Sequence, residues 1–208
     1  MYRAGIHSMD TSVAAYRKAL HLNGHKSLEL EFRVGRRGFG GAFQPGVHKH
    51  SFDALMTVLK KSSHFHHTRV CTHERLNMTD ARFVTFPGQD GHEGHWTYKQ
   101  KLFSEMCSET IRVSLALEGT AHEPPPPGSP PFTYFRTKTR DRFRWECWSI
   151  DLTAVTSNLP QHADNDGPIY ELEIELVDVD ALYEYTLEYI LTWGLHLTRE
   201  IESLCNTH

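Results

Sequence analysis

The chain has 208 residues, of which 39% are hydrophobic and 23% are charged. This length and composition suit one folded domain with a buried core, and they exclude a chain that is disordered throughout. Lys and Arg number 22 against 26 Asp and Glu, a formal net charge of −4, so a polycation that coats nucleic acid is excluded. Any phosphate-bearing ligand therefore needs a local basic pocket.

We expect neither a membrane span nor a secretion signal. No run of about 18 apolar residues occurs, and Met1–Leu22 mixes charged residues with its apolar ones, unlike the uninterrupted apolar core of a signal peptide. The four cysteines form no CxxC pair, which predicts free thiols in a reducing compartment. None is followed six residues later by Arg, so the phosphate-binding loop of a cysteine phosphatase is excluded.

A histidine-rich stretch lies in the first half of the chain. His64, His66 and His67 are close together, with Cys71 and His73 shortly after them. This spacing suits zinc ligands, but a polar segment between a helix and a strand collects the same residues without a metal. The polar segment is the simpler interpretation.

Three segments have the apolar spacing of helices. Residues 10–22 begin with a cap-forming Asp or Thr, and residues 51–61 begin with Ser51 as N-cap and continue with an apolar stripe. Residues 178–205 have the pattern of one long C-terminal helix, in which Gly194 favours a bend or an interruption.

Between the helices, apolar and polar residues alternate with the period of a β-strand. Consecutive strands joined by loops favour an antiparallel sheet, and a proline-rich segment over Gly119–Pro131 must be an exposed connection. A second polar loop is expected over Ser157–Gly167. The predicted strands are Ser27–Val34, Arg69–Leu76, Ala81–Phe86, Trp96–Leu102, Thr110–Glu118, Thr133–Trp145, Cys147–Val155 and Ile169–Val177.

Several of these strands carry their charge on one face, because alternate residues of a strand share a face. Glu29 and Glu31 lie opposite a row of apolar residues, and so do Glu171, Glu173 and Glu175. Two other strands carry basic rows instead. The longer row is Arg136, Lys138, Arg140, Arg142 and Arg144, and the shorter is Lys99 and Lys101.

Rows of like charge are poorly explained as an ordinary solvated face, because adjacent like charges repel and such faces usually mix both signs. A purely acidic strand and a purely basic strand stabilise each other when they face across an enclosure. The expected fold is therefore α+β, mainly β. It is an eight-stranded antiparallel closed barrel within residues 27–177, with charges inside and apolar faces outside under flanking helices, as one domain spanning residues 1–208.

The enclosed charges suit a metal-bound polyphosphate. Carboxylates in a row are ligands for a hard divalent cation such as Mg²⁺ or Mn²⁺, while Arg and Lys bind phosphate oxygens. The cation would orient the transferred phosphoryl group, and a carboxylate outside the metal site would position the attacking water.

The same segments together resemble the triphosphate tunnel metalloenzymes, specifically the fungal and protozoal type of mRNA capping RNA 5′-triphosphatase. The resemblance extends from about Leu28 to Val177 and implies an eight-stranded tunnel that hydrolyses the γ-phosphate of nascent mRNA with Mn²⁺ or Mg²⁺. The similar segments are LELEFRVG at Leu28–Gly35, FQPGV at Phe43–Val47, RVSLALE at Arg112–Glu118, RTKTRDRF at Arg136–Phe143, IDLTAV at Ile150–Val155 and ELEIE at Glu171–Glu175.

The resemblance also assigns roles to acidic residues of this chain. It implies that Glu29, Glu31 and Glu175 hold the metal ion, with Glu171 and Glu173 in support. Glu118 corresponds to the glutamate that positions the nucleophilic water. Asp151 corresponds to an aspartate that orients a tunnel arginine.

The resemblance assigns basic residues to the phosphates. Lys138 and Arg140 are the strongest candidates for direct phosphate contact and for catalysis. Arg82 and Lys99 correspond to basic residues of the middle strands with the same two roles. The full substrate-binding set is Arg82, Lys99, Arg112, Arg136, Lys138 and Arg140.

Ser149 departs from the family pattern, because family members tend to carry Arg two residues before the aspartate of the IDLT segment. One cation of the tunnel is then missing, or Arg142 or Arg144 supplies it. The glycine-rich segment Gly35–Gly41 lacks the GK[ST] of a Walker A loop, so a loop after the first strand is expected there.

Two alternative functions remain open. The same tunnel suits an enzyme for inorganic tripolyphosphate, thiamine triphosphate or free nucleoside triphosphates. The second alternative is a catalytically inactive module that binds polyphosphate, although an anion binder gains nothing from five clustered glutamates.

The capping role implies partners and a location. The substrates expected are the 5′-triphosphate end of RNA and nucleoside triphosphates, and no membrane is involved. A guanylyltransferase must act next, and we expect it to be a separate protein. Because capping is nuclear in most eukaryotes, we expect the protein in the nucleus.

Overall fold

The structure is a computed structural model that describes residues 14, 16–18, 28–38, 40–76, 81–87, 94–121, 134–158 and 167–206. Its strands are β1 (Leu28–Arg37), β2 (Phe43–Pro45), β3 (His66–Leu76), β4 (Ala81–Thr85), β5 (Gly94–Met106), β6 (Ile111–Ala121), β7 (Tyr134–Trp145), β8 (Trp148–Ser157) and β9 (Ile169–Leu176). Its helices are α1 (Lys49–Lys61), α2 (Ala181–Glu184) and α3 (Leu187–Asn206).

Eight of the strands form a closed antiparallel barrel. β1 pairs with β6 on one side and with β9 on the other, and the order around the barrel is β1-β6-β5-β4-β3-β7-β8-β9. The remaining strand, β2, pairs with the end of β1 that extends beyond β9. The predicted strands and the closed antiparallel barrel are confirmed, and β2 is an addition that the sequence patterns do not predict.

The hydrophobic core lies outside the barrel, between its wall and the helices. Alternation along the strands turns apolar side chains outward, and Phe32, Trp148 and Ile174 are fully buried there. α3 adds Ile190 and Leu191 to the same cluster. Each such side chain contributes about 1.5–3 kcal/mol when it is fully buried. This layer leaves the barrel interior to polar groups.

Gly194 lies where α3 crosses the barrel wall. A Cβ atom at this position would lie 2.5 Å from Cη2 of Trp148 and 2.6 Å from Cε2 of Phe32. α3 continues through Gly194, so an interruption there is wrong, and the glycine allows close packing. The predicted single C-terminal helix is interrupted earlier, between α2 and α3.

The position of α1 is fixed by an apolar stripe and by one hydrogen bond. Phe52, Leu55 and Leu59 are buried, as the predicted stripe requires. Ser51 is not the N-cap, because α1 begins at Lys49. The Ser51 hydroxyl instead donates to the carbonyl oxygen of Cys205 at 2.7 Å, which joins α1 to the end of α3.

Several predictions lie partly outside the described residues. Of the predicted helix 10–22, residues 14 and 16–18 are described and helical, and Tyr16 is buried. Pro124–Pro127 and most of the loop Ser157–Gly167 lie outside the described residues. All four cysteines are free thiols. In the described part of the chain, no helix has the length and apolar character needed to cross a bilayer.

Candidate active site in the charged barrel interior

Charged side chains of both signs line the interior of the barrel. The register establishes this, because residues paired across neighbouring strands share a face. Among the described residues, carboxylates and cations both occur on this face. The carboxylates are Glu29, Glu31, Glu74, Glu118, Asp151, Glu171, Glu173 and Glu175. The cations are Arg33, Arg82, Lys99, Arg112, Arg136, Lys138, Arg140 and Arg142.

The three glutamates expected to hold a metal lie at neighbouring positions of β1 and β9. Glu31 is paired directly with Glu175, and Glu29 lies two residues from Glu31 on the same face. Each of them is bound by the protein itself. Glu29 accepts from Lys99 Nζ at 2.8 Å, Glu31 accepts from Ser114 Oγ at 2.7 Å, and Glu175 accepts from Arg142.

The chemistry of this cluster fits a divalent cation. Within the described residues, no three His, Cys, Asp or Glu side chains are already arranged around a metal-sized point. However, the carboxyl groups of Glu29 and Glu118 contact each other, and Glu29 Oε2 is buried without a hydrogen-bond donor. Burial raises the pKa of Glu29, and it raises the pKa of Glu175 to about 8. Clustered buried carboxyl groups, with one oxygen that lacks a donor, suit a hard cation.

The basic row of β7 contacts acidic side chains of the nearby strands β3, β8 and β9. Arg136 binds Glu74, and Lys138 Nζ lies 3.3 Å from Glu74 Oε1. Arg140 Nη1 lies 3.1 Å from Asp151, and Arg140 Nη2 donates to Glu173 at 3.4 Å. These contacts hold the cations at defined positions on the tunnel wall.

The pKa of Lys138 is unusual among these cations. Its burial and then the neighbouring Arg136 lower the pKa of Lys138 to about 8. The opposite holds for Lys99, because Glu31 and Glu29 outweigh the effect of burial and raise its pKa. Lys138 is therefore the tunnel lysine whose charge depends on pH near neutrality.

Arg142 contacts two acidic residues beside Ser149, the position at which family members tend to carry Arg. Ser149 is fully buried and is paired in the sheet with Arg144 and Glu175. Arg142 binds Asp151 through Nε at 2.9 Å and Nη2 at 2.7 Å, and it also binds Glu175. Arg144 instead lies 3.7 Å from Asp178 and is half exposed. Of the two alternatives, Arg142 is the one that contacts the acidic residues Asp151 and Glu175.

Two arginines present buried donors without acceptors. Arg82 Nε and Arg112 Nε have no hydrogen-bond partner among the described residues. The Arg112 guanidinium lies 4.4 Å from the ring centroid of Phe43, so β2 helps to orient it. Leaving a buried donor unsatisfied costs about 1–3 kcal/mol, which an anionic ligand would remove. These arginines therefore fit a phosphate-binding surface.

Sequence patterns do not single out Arg33 or Glu74. Arg33 Nε lies 3.0 Å from Glu31, and Arg33 Nη2 lies 2.7 Å from Glu173. Arg33 is two residues from Glu31, and this spacing was sufficient to place it on the same face. Glu74 lies among mixed polar residues, so no pattern places it inside. Lys101 belongs to a predicted basic row and is paired with Ala116 on the face of Glu29, but its side chain is exposed.

The chain is similar to RNA triphosphatases in sequence and in fold, although no family model matches it. It is 30% identical over 182 residues to the 5′RNA triphosphatase of Paramecium bursaria Chlorella virus 1, covering 85% of this chain and 89% of that protein. The Pct1 RNA triphosphatase of S. pombe has a similar structure, with a TM-score of 0.70 and 16% identity across 97% of this chain and 93% of that one. The RNA triphosphatase domain of the trifunctional mimivirus mRNA capping enzyme gives a TM-score of 0.57 at 15% identity, over 90% and 95% of the two chains. The closed barrel, its charged interior and the identity to the viral protein together show that this chain belongs to the tunnel-type RNA 5′-triphosphatases.

Proposed function

We propose that this protein hydrolyses the γ-phosphate of triphosphate-ended RNA with Mn²⁺ or Mg²⁺, as the first step of mRNA cap formation. The observation that carries the proposal is that the carboxylates of β1 and β9 and the basic row of β7 share one closed interior. The 30% identity to a viral 5′RNA triphosphatase supports RNA as the substrate.

The residues that would hold the cation are Glu29, Glu31 and Glu175, with Glu171 and Glu173 in support. A bound cation supplies positive charge that orients the phosphate and stabilises charge on the transferred group. The chain keeps the carboxylates in place without it, because Lys99, Arg33 and Arg142 bind them. The protein therefore maintains the site before ligands arrive.

Lys138 and Arg140 of β7 are the main proposed phosphate donors. The other proposed donors are Arg82, Lys99, Arg112 and Arg136. Asp151 acts on Arg140 as a positioning residue, and the Arg140 Nε donates to Thr153 Oγ1 at 3.3 Å. A guanidinium fixed in this way stabilises developing charge without reorganising during the reaction.

Glu118 is the proposed residue that positions the attacking water. Burial alone would raise its pKa, but its hydrogen bond with Glu29 and the charges of Lys99 and Arg82 keep the pKa of Glu118 below its ordinary value. Glu118 is therefore ionised at neutral pH and can accept a proton from water.

Phosphate release from triphosphate-ended RNA tests the proposal directly. We expect release with Mg²⁺ or Mn²⁺ and none with EDTA. Glu29→Gln and Glu175→Gln should each lower the rate by more than about 100-fold, since losing a ligand exceeds the 10–100-fold cost of an outer-shell change. Glu109→Gln is the matched control, because Glu109 is exposed and pairs with Arg37. Full activity in both site variants would contradict the proposal.

A substrate panel separates this proposal from the two alternatives. We expect kcat/KM to be higher for triphosphate-ended RNA than for ATP, tripolyphosphate or thiamine triphosphate. A preference for one of the small substrates would favour the first alternative. Binding of polyphosphate without turnover under any divalent cation would favour the inactive module.

We also propose that the protein acts in the nucleus and beside a separate guanylyltransferase. The support for both is the place of this family in cap formation. Microscopy of the tagged protein tests the location, and co-purification with guanylyltransferase activity tests the partner. A tagged protein that stays outside the nucleus would contradict the first proposal.

A further inference from the structure

One side of the barrel exposes aromatic rings on the outer face of four strands. The helices α1 and α3 pack against β9, and α3 also packs against β1. The outer face of β5, β4, β3 and β7 is different, because Tyr98 remains 48% exposed and Phe135 remains 49% exposed. Exposed rings on adjacent strands commonly mark a binding surface.

Four outward side chains form a row across these strands, which we call the outer aromatic row: Trp96, Phe83, Arg75 and Phe135. Phe83 is paired with Trp96 on one side and with Arg75 on the other, and Arg75 is paired with Phe135. The rings of Phe83 and Trp96 are 5.1 Å apart. A guanidinium thus lies between two aromatic positions.

Two glycines allow rings to lie close against the sheet. A Cβ at Gly119 would lie 2.4 Å from the hydroxyl oxygen of Tyr98, and a Cβ at Gly94 would lie 2.7 Å from Cζ of Phe83. Because the rings occupy the space above these glycines, they lie along the surface instead of projecting from it. A ring in this orientation presents a face on which a planar group can stack.

The charge around the outer aromatic row is positive. His73 and Arg69 lie on the same face of β3 as Arg75, and Arg75 makes no ion pair within the described residues. The carboxylate on the described outer faces of β3, β4 and β7 is Asp141. It is buried, and its Oδ1 lies 2.7 Å from Nε2 of His67. On β3, β4 and β7 the described surface is therefore basic and aromatic, whereas β5 carries Glu105 beyond its register shift, nine residues from Trp96.

We propose that the outer aromatic row binds single-stranded RNA, with bases stacked on its rings and phosphates near the basic residues of β3. This rests on the proposed function, since the RNA whose 5′ end enters the tunnel supplies the strand. The β3–β7 ladder ends at the pair Leu76–Tyr134, next to the pair Arg75–Phe135, so the row begins near the barrel rim. Aromatic rings combined with cations are the chemistry that binds single strands without sequence preference.

Binding of a 5′-hydroxyl RNA oligonucleotide tests the proposal independently of catalysis, because this probe carries no triphosphate for the tunnel. Phe135→Ala and Arg75→Ala should each weaken its affinity about tenfold, the loss typical of one stacked base. Arg75→Lys keeps the positive charge but loses the planar guanidinium group. Its RNA affinity should therefore lie between those of the two alanine variants and that of the wild type. Tyr189→Ala and Arg199→Ala, at exposed positions of α3, are matched controls that should bind normally.

Kinetics give the second measurement. The same two variants should raise KM for triphosphate-ended RNA while leaving hydrolysis of ATP unchanged. If RNA is not hydrolysed at all, the proposed function fails, but the binding measurement still decides the role of the row. Circular dichroism checks that the variants fold. If Phe135→Ala does not fold, Tyr98→Leu replaces it as the aromatic variant.

Three results would overturn the proposal. The first is unchanged RNA affinity in folded variants of Phe135, Arg75 and Tyr98. The second is a change of oligomeric state in these variants, which would make the face an interface between copies of the chain. The third is displacement of RNA by polyglutamate as effectively as by polyuridylate, which would indicate an acidic peptide as the ligand.

Discussion

Arg142 binds Asp151 through two nitrogen atoms inside the barrel, with Nε 2.9 Å from Oδ1 and Nη2 2.7 Å from Oδ2. Asp151 is completely buried and also lies 3.1 Å from Arg140. The Arg142 guanidinium in turn binds Glu175, one of the proposed cation ligands. One aspartate therefore positions two arginines and, through Arg142, a glutamate.

Asp151→Asn should lower both stability and activity. The change leaves Arg140 and Arg142 without their shared buried counterion, which costs about 3 kcal/mol in the free energy of unfolding. Because the arginines are displaced but not removed, kcat should fall about 10–100-fold, as for other outer-shell changes. Urea unfolding and steady-state phosphate release measure the two effects. Asp53→Asn, at an exposed carboxylate bound to Lys49, is the control. Unchanged kcat in the Asp151 variant would contradict a positioning role.

Glu29 and Glu118 touch through their carboxyl groups, yet we propose different roles for them. Glu118→Gln should lower kcat by about 100-fold or more, since loss of a general base costs this much. Its half-saturating Mn²⁺ concentration should stay near that of the wild type. Glu29→Gln should instead raise the half-saturating Mn²⁺ concentration by more than about 100-fold, since losing a ligand exceeds the 10–100-fold cost of an outer-shell change. Titrating activity with Mn²⁺ separates the two effects, and identical profiles would refute the assignment.

Arg33 bridges Glu31 and Glu173, so removing it leaves these two buried carboxylates with only the longer contacts of Lys99 and Arg140. Arg33→Ala should therefore destabilise the protein by about 3–5 kcal/mol. Added Mn²⁺ should raise the melting temperature of this variant more than that of the wild type, because a cation replaces part of the lost charge. Arg36→Ala removes an exposed cation of the same strand and is the control. Equal Mn²⁺ effects in all three proteins would show that Arg33 and the cation site are uncoupled.

The barrel was predictable because each strand carries its orientation in its own sequence. Once Glu29 and Glu31 lie on one face, the helices must cover the other face. The number of alternating segments then gives the number of strands. The same rule places Arg33 inside. Local patterns, in short, specify which way a side chain points.

Contacts between strands needed information that no single segment contains. Glu74 becomes part of the interior only through its pairing with Arg136, and the exposure of Lys101, just before the shift in the β5–β6 register, is not evident from its row. The choice between Arg142 and Arg144 depended on the pairing of β7 with β8 and β9. Such relationships arise from register, which sequence periodicity does not determine.

Helix propensity and packing predict opposite effects of Gly194→Ala on stability. Glycine costs about 1 kcal/mol in a helix relative to alanine, so propensity predicts that Gly194→Ala stabilises α3. The structure predicts the opposite, because the new methyl group would overlap Trp148 and Phe32, and such overpacking costs about 1–3 kcal/mol. We expect a net loss in the free energy of unfolding, measured with urea. Thr192→Ala, at an exposed position of α3, is the control, and a more stable Gly194→Ala protein would contradict the packing argument.

Lys138 should set the alkaline limit of activity. Burial, followed by the charge of Arg136, lowers the pKa of Lys138 to about 8, and kcat/KM reports ionisations of the free enzyme. We therefore expect kcat/KM for the triphosphate substrate to fall above about pH 8, as the ammonium group that contacts phosphate loses its proton. In Lys138→Arg the guanidinium stays charged, so the fall should move to higher pH. An unchanged profile in this variant would remove Lys138 from phosphate binding.

The lowered pKa of Lys138 also affects the stability of the protein. Stability should rise over the alkaline range in which activity falls. The unfolded lysine titrates near 10.5, so between about pH 8 and 10.5 the unfolded chain binds more protons and the contribution of Lys138 to stability rises with pH. Below pH 8 the folded protein carries the full penalty of a buried charge. Lys138→Met should therefore be more stable than the wild type at pH 7, since Glu74 keeps its contact with Arg136, and less active. Urea unfolding at pH 7 and 9.5 tests this, because the difference in stability between the two proteins should shrink at the higher pH as the penalty on the wild type disappears.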